Sequence, residues 1–188
     1  MSSINAPFGL RPSFHPSGLD RAVALPNGIT SAYGSNILKG QPVALNTSGA
    51  IIIATAGSAY QGAFAGVEFT DTTGRRRVSN YWPASTTGTD IVAYYYSDPN
   101  IVYDIQADGS LAQTSIGDQA NFTNTTAGST TTGLSACTIS TSLAGSSAVG
   151  DMRIIGLYPG VDNAWGDAYT VVQVQISRSQ YVATINAI

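Results

Sequence analysis

Residues 169–176 read YTVVQVQI. Val172, Val174 and Ile176 alternate with Gln173 and Gln175, which is the period of two that a half-buried strand requires, because successive side chains leave a strand on opposite faces. The stretch predicts a strand with its valines inward and its glutamines outward. Residues 152–158 (MRIIGLY) and 134–140 (LSACTIS) give two more strands. Residues 91–96 (IVAYYY) and 101–106 (IVYDIQ) flank Ser97, Asp98, Pro99 and Asn100. That turn chemistry predicts a hairpin, with Ile101, Tyr103 and Ile105 toward the core and Val102, Asp104 and Gln106 on the other face. Nearer the start, residues 43–45 and 50–54 flank Asn46-Thr47-Ser48-Gly49 and predict another hairpin. Residues 61–69 (QGAFAGVEF) predict a strand in which Gly62 and Gly66 mark a bulge or a close backbone approach.

Helix signals are nearly absent: one Lys, one Glu and 20 Gly leave little material for an amphipathic helical surface. A single turn near residues 110–116 is the best candidate. The low-complexity stretch 123–133 (TNTTAGSTTTG) predicts a long exposed loop or flexible tip. The expected fold is all-β, an antiparallel sandwich or barrel of about eight short strands with an extended N-terminal arm. Residues 1–20 form that arm, because Pro7, Pro12 and Pro16 remove backbone donors and favour extended geometry while Phe8 and Phe14 supply apolar anchors. Residues 21–188 form a single β-rich domain. The arm lies either back on its own domain or on a neighbouring subunit; composition does not choose.

The chain has 188 residues with 8 Lys+Arg against 11 Asp+Glu, a formal net charge of −3. Charged residues make up 10%, against about 25% in ordinary soluble proteins. With 43% hydrophobic residues the chain should fold, as one domain, and an oligomer is expected. One cysteine, Cys137, excludes an internal disulfide and a thiolate metal cluster. The acidic balance and the lack of a basic stripe argue against nucleic acid, and no apolar run is long enough to cross a membrane as a helix. The first residues lack the basic start and apolar stretch of a signal peptide, so export by that route is not expected.

Chemistry-bearing patterns are sparse. His15 is the single histidine. It has no nucleophile elbow to accompany it, so a hydrolase is not expected and no catalytic residue is assigned. Most aspartates stand beside Gly, Asn or Pro and read as turn formers. Residues 162–167 (DNAWGD) offer oxygen ligands but lack an EF-hand ladder, so no metal and no cofactor is assigned. No Walker loop or dinucleotide fingerprint is present. Arg75, Arg76 and Arg77 are either three solvated side chains at a turn or an anchor for carboxylates on a protein partner. Consecutive Tyr94, Tyr95 and Tyr96 must point to both faces of a strand, which favours a subunit contact.

Residues 5–12 (NAPFGLRP), 80–84 (NYWPA), 98–108 (DPNIVYDIQAD) and 153–157 (RIIGL) followed by Asp162 and Asn163 resemble a widespread group of tailed-bacteriophage structural proteins, the head decoration or cement proteins. The likeness runs in order from the arm to the last strands. It implies a non-enzymatic virion protein on the capsid exterior, binding the major capsid protein, commonly as a dimer or trimer, and clamping neighbouring coat subunits. The arm (Pro7, Phe8, Arg11, Pro12, Phe14), with Arg75, Arg76 and Arg77, is the expected partner-binding set. The alternative is a receptor- or glycan-binding module of a phage tail or surface spike.

Overall fold

The computed structural model describes residues 3–18, 21–145 and 147–182. The remaining parts of the arm and of the 21–188 domain lie outside the described residues. Fourteen strands are present there: β1 (Arg11–Phe14), β2 (Val23–Pro26), β3 (Pro42–Leu45), β4 (Ile51–Ile53), β5 (Gly62–Asp71), β6 (Arg76–Ser79), β7 (Gly88–Tyr96), β8 (Val102–Gln106), β9 (Gln119–Thr123), β10 (Gly128–Ser129), β11 (Leu134–Ser135), β12 (Thr138–Leu143), β13 (Met152–Leu157) and β14 (Val171–Ile176). The helical signal at 110–116 resolves to one 3-10 turn, Gln113–Ser115.

Twelve of the strands form two six-stranded antiparallel sheets, and β10 and β11 pair as a separate two-stranded one. The first runs β1-β8-β14-β13-β9-β12, and the second runs β2-β7-β5-β3-β4 with β6 beside β5. Ten-residue β5 organises the second sheet: β7 lines one edge, while β3 meets the other edge at Gly62 and Ala63 and β6 meets it from Val67 to Thr70. The sheets pack face to face as a sandwich around one core, where Ile105, Phe122, Met152, Ile154, Val172 and Val174 meet Ala44, Tyr60 and Ala63. The first sheet also curls. Ala107, directly after β8, bridges Ile139 of β12, and Asp108 N donates to Ile139 O at 2.9 Å, so β12 returns to the end of β8. A second core cluster covers the far face of the second sheet, where Val43, Phe64, Val67, Ala93 and Tyr95 lie beneath Ile29, Ile37 and Trp82.

Several expectations hold in detail. The hairpin of residues 43–45 and 50–54 is β3 and β4, with Val43 opposite Ile53. Val172, Val174 and Ile176 are buried while Gln173 and Gln175 are partly exposed. Gly62 does mark a close approach, and the register of β5 on β7 slips between Phe64 and Gly66.

Three expectations are corrected. β7 and β8 do not form a hairpin: β7 pairs with β5 and β2, whereas β8 pairs with β14 and β1. Turn chemistry at residues 97–100 fixes a change of direction, and an arch between stacked sheets uses it as readily as a hairpin does. The Thr-rich stretch is largely exposed as expected, but it is not without regular structure, since Gly128–Ser129 pairs with Leu134–Ser135. Leu134–Ser135 in turn is separated from Thr138–Leu143 by a break, so the expected strand over 134–140 is two strands in different sheets.

Candidate functional site

The N-terminal segment lies on its own domain. Leu10 is 1% exposed and its N–H donates to Gly40 O at 2.7 Å. Residues 11–14 then form an edge strand on β8, with Arg11 opposite Asp104 and a register slip between Pro12 and Phe14. Pro12 is tolerable there because an edge strand leaves one row of donors unused. Further upstream, Ala6 N donates to Gln106 Oε1 at 3.0 Å and Gln106 Nε2 donates to Ile4 O at 2.9 Å. This contact covers Gln106, on the polar face of β8 that alternation alone assigns to solvent, and every residue of β8 is buried.

Arg11 is the centre of the arrangement. Its guanidinium forms a 3.0 Å ion pair with Asp104, whose side chain is 3% exposed, and it stacks 4.8 Å from the Phe8 ring centroid and 5.2 Å from that of Tyr158. Partial burial disfavours the Arg11 charge, yet the hydrogen bond and charge of Asp104, with Tyr158, outweigh it and hold the pKa above its ordinary value. Replacing Arg11 with alanine leaves Asp104 buried with only a long contact from Gln173 Nε2, 3.4 Å. The expected cost is about 2 kcal/mol, less than for a fully buried pair because half the arginine side chain is in water. Hydrogen exchange should then accelerate at β1 and the facing edge of β8, and unchanged protection there would show that the pair does not hold the strand.

Phe8 and Arg11 form a ridge between two open clefts. One, of about 370 Å³, is bounded by Tyr158, Val161, Asn163 and Gln106; the other, of about 350 Å³, by Leu10, Pro12, Lys39, Phe64, Tyr96 and Leu134. Asn163 shapes the first cleft by donating to Tyr158 O and Val171 O, both at 2.8 Å, and accepting from Val171 N at 3.0 Å. Exposed apolar side chains gather around the ridge: Ile4 at 60%, Val161 at 104% and Leu134 at 44%, with Phe14 at 47% on β1. Pro7 is half-buried at the start of the segment. Tyr158, Val161, Lys39 and Leu134 were not among the expected site residues, because nothing local marks a residue as the wall of a cleft built from distant parts of the chain.

The three arginines lie elsewhere. Arg76 and Arg77 are on β6, which pairs with the far end of β5. That end is six residues from Phe64, roughly 20 Å along a strand. Arg77 Nε donates to Asp71 Oδ2 at 2.7 Å, and Arg76 pairs with Glu68 at 3.1 Å and donates to Asp90 O at 2.7 Å. Thr73 and Arg77, with the Arg75 N–H, hold the Asp71 carboxyl well below the usual carboxylate range. Tyr94 and Arg76 lower Glu68 likewise. Two of the three side chains are therefore engaged within the chain, and Arg75 has an exposed side chain with no ion pair among the described residues.

His15 gains neighbours that the sequence did not reveal. Ser17 Oγ is 2.6 Å from Nδ1, and Asp98 Oδ2 is 3.0 Å from Nε2. These are the residue types of an acyl-transfer relay, but Ser17 N also donates to the same Nδ1 at 3.0 Å, so the ring serves as a local cap for an i+2 turn. The contact with Asp98 ties the end of β1 to the arch between the sheets. In residues 162–167, Asp167 Oδ2 accepts from Ala164 N at 2.8 Å, and among the described residues no three His, Cys, Asp or Glu side chains gather as metal ligands would.

Comparison of the chain with protein-family models, with curated proteins and with solved structures gave no match.

Proposed function

We propose that the protein is a non-enzymatic virion component that binds the outer surface of a tailed-phage capsid through the ridge of Phe8 and Arg11 and clamps neighbouring coat subunits. The observation that carries this reading is the collection of exposed Ile4, Phe14, Leu134 and Val161 around a segment whose residues resemble those of head decoration proteins. Scattered apolar residues are ordinary on a surface, but Val161 and Leu134 at two open clefts, with Ile4 and Phe14 on the same N-terminal segment and a strand edge unpaired among the described residues, favour a protein contact. Burial of one such side chain contributes about 1.5–3 kcal/mol, so a single copy would bind modestly. An oligomer tied at several points would hold through effective concentration. The major capsid protein is the proposed partner, and a dimer or trimer the proposed form.

The test is sedimentation of the purified protein with heads assembled without it. Phe14→Ser and Val161→Ser should each weaken association about 10-fold, roughly 1.4 kcal/mol, while leaving the melting temperature unchanged. Deleting residues 1–20 is the wrong experiment, because it strips β1 and Leu10 from the fold and disturbs stability along with contact. Failure of the wild-type protein to sediment with such heads would remove the capsid reading.

A further inference from the structure

The two clefts beside the ridge differ in charge. Arg11, Arg76, Arg77 and Arg178 each face a carboxylate of the chain. Lys39, the single lysine, is exposed and makes no ion pair among the described residues. It stands at the rim of the cleft walled by Leu10, Pro12, Phe64, Tyr96 and Leu134. Its backbone is fixed on both sides, since Lys39 N donates to Gly133 O and Ser135 N donates to Lys39 O, each at 2.9 Å. An ammonium beside an apolar wall attracts a carboxylate more strongly than one surrounded by water, because the wall lowers the local dielectric. The adjacent β1 has its outer edge unpaired among the described residues. An extended chain can therefore lie along it and send one side chain into the cleft.

We infer that this cleft is a socket for an extended segment of a partner protein that presents an apolar side chain next to a carboxylate. The apolar side chain enters between Leu10 and Leu134, and the carboxylate meets the Lys39 ammonium. Assigning the segment to the coat protein rests on the capsid reading; the chemistry of the segment does not.

Two blocked hexapeptides, one with Leu-Asp at its centre and one with Leu-Lys, are titrated into the full chain and followed by amide NMR. The Leu-Asp peptide should shift Lys39, Gly40 and Leu134 saturably, and the Leu-Lys peptide should not. Lys39→Glu, an exposed substitution that should leave the melting temperature unchanged, should exchange the two responses. Equal responses, no response to either peptide, or wild-type behaviour in Lys39→Glu would overturn the socket. Concentration-dependent shifts of the same residues without peptide would assign the cleft to a second copy and overturn it as well. Heads assembled without the protein separate the two readings: Lys39→Glu should bind them at least about 10-fold more weakly, and Lys39→Arg as wild type. If the wild type ignores heads while the Leu-Asp peptide still seats at Lys39, the capsid reading falls and the socket stands. If heads bind and Lys39→Glu matches the wild type, the socket falls.

Discussion

Gly62→Ala is expected to prevent formation of the native sandwich or to lower its melting temperature by 10 °C or more. Gly62 stands where β5 meets β3 and β7, opposite Val43 and next to the pairing of Ala63 with Tyr96. A methyl group added there would overlap the carbonyl oxygen of Tyr96 and lie 3.1 Å from the Tyr103 hydroxyl oxygen. The obstructing atom belongs to the backbone of the neighbouring strand, so no rotamer change relieves the contact. Moving β7 away would open the pairing that joins the two longest strands of the second sheet. Overlaps of this kind belong to the short class of substitutions that cost more than about 4 kcal/mol. For a domain of this size each kcal/mol lowers the melting temperature by about 2–4 °C. Thermal unfolding followed by circular dichroism measures it, and a wild-type melting curve would show that the strands separate freely at that point.

Asp151 carries the second large effect. The residue is 0% exposed, and both carboxylate oxygens accept from Gly57 N at 3.0 Å while Oδ2 also accepts from Phe122 N at 3.1 Å. Arg178 lies at the limit of ion-pair distance, 4.0 Å, and donates to Gly57 O and Val149 O. One carboxylate thus joins the loop after β4, strand β9 and the chain after β14. The edge-on contact of Tyr60 with Phe122, 4.9 Å between centroids, packs in the same core. Asp151→Ala would leave two backbone donors without their acceptor and a largely buried guanidinium without its counter-charge, at a cost of about 3–5 kcal/mol. The melting temperature should fall by about 10 °C.

The pH dependence of the same residue has a definite sign. Burial raises the Asp151 pKa, against the opposing pull of the Gly57 and Phe122 N–H groups and of Arg178. The folded state therefore holds the proton to higher pH than the unfolded chain, whose carboxyl titrates near about 3.9. This contribution is fully present below that value and is lost as pH rises through the raised folded pKa. Glu68 and Asp71 act oppositely, because their lowered pKa values stabilise the fold above the unfolded range and that gain is lost on acidification. The difference in unfolding free energy between the wild type and Asp151→Asn isolates the first effect. It should shift against the wild type as pH rises from about 4. A difference that is flat, or of opposite slope, would show that the carboxylate gains more from its donors than it loses to burial.

The candidate site was legible in part. Phe8, Arg11, Pro12 and Phe14 stood out as apolar and cationic groups on a proline-bearing segment; Phe8, Arg11 and Pro12 line the clefts, whereas Phe14 lies further along β1 and lines neither. Arg75, Arg76 and Arg77 stood out equally as a basic run, but Arg76 and Arg77 face Asp71, Glu68 and the Asp90 carbonyl across β5, β6 and β7. A charge run shows where cations are, not which carboxylates folding brings to them. Lys39 showed no signal at all, because its cleft draws on Leu10, Phe64, Tyr96 and Leu134 from well-separated parts of the chain.

Properties that depend on neighbours a few residues apart were fixed before folding. The all-β class, the inward Val172, Val174 and Ile176, the β3–β4 hairpin and the close approach at Gly62 all follow from side-chain alternation, turn chemistry and the absence of a Cβ. The short strands β1, β2, β6, β10 and β11 have too few residues to show a period, and only their partners make them strands. Tertiary structure alone decided that β7 and β8 belong to different sheets and that Asp104 and Gln106 are buried beneath Arg11, Ala6 and Ile4. It also placed His15 against Asp98. Those outcomes require contacts between residues well separated in the chain, where loop closure varies only slowly with chain length and so favours no particular partner. The choice falls to whichever pairing buries the most apolar surface while leaving each buried polar group a partner.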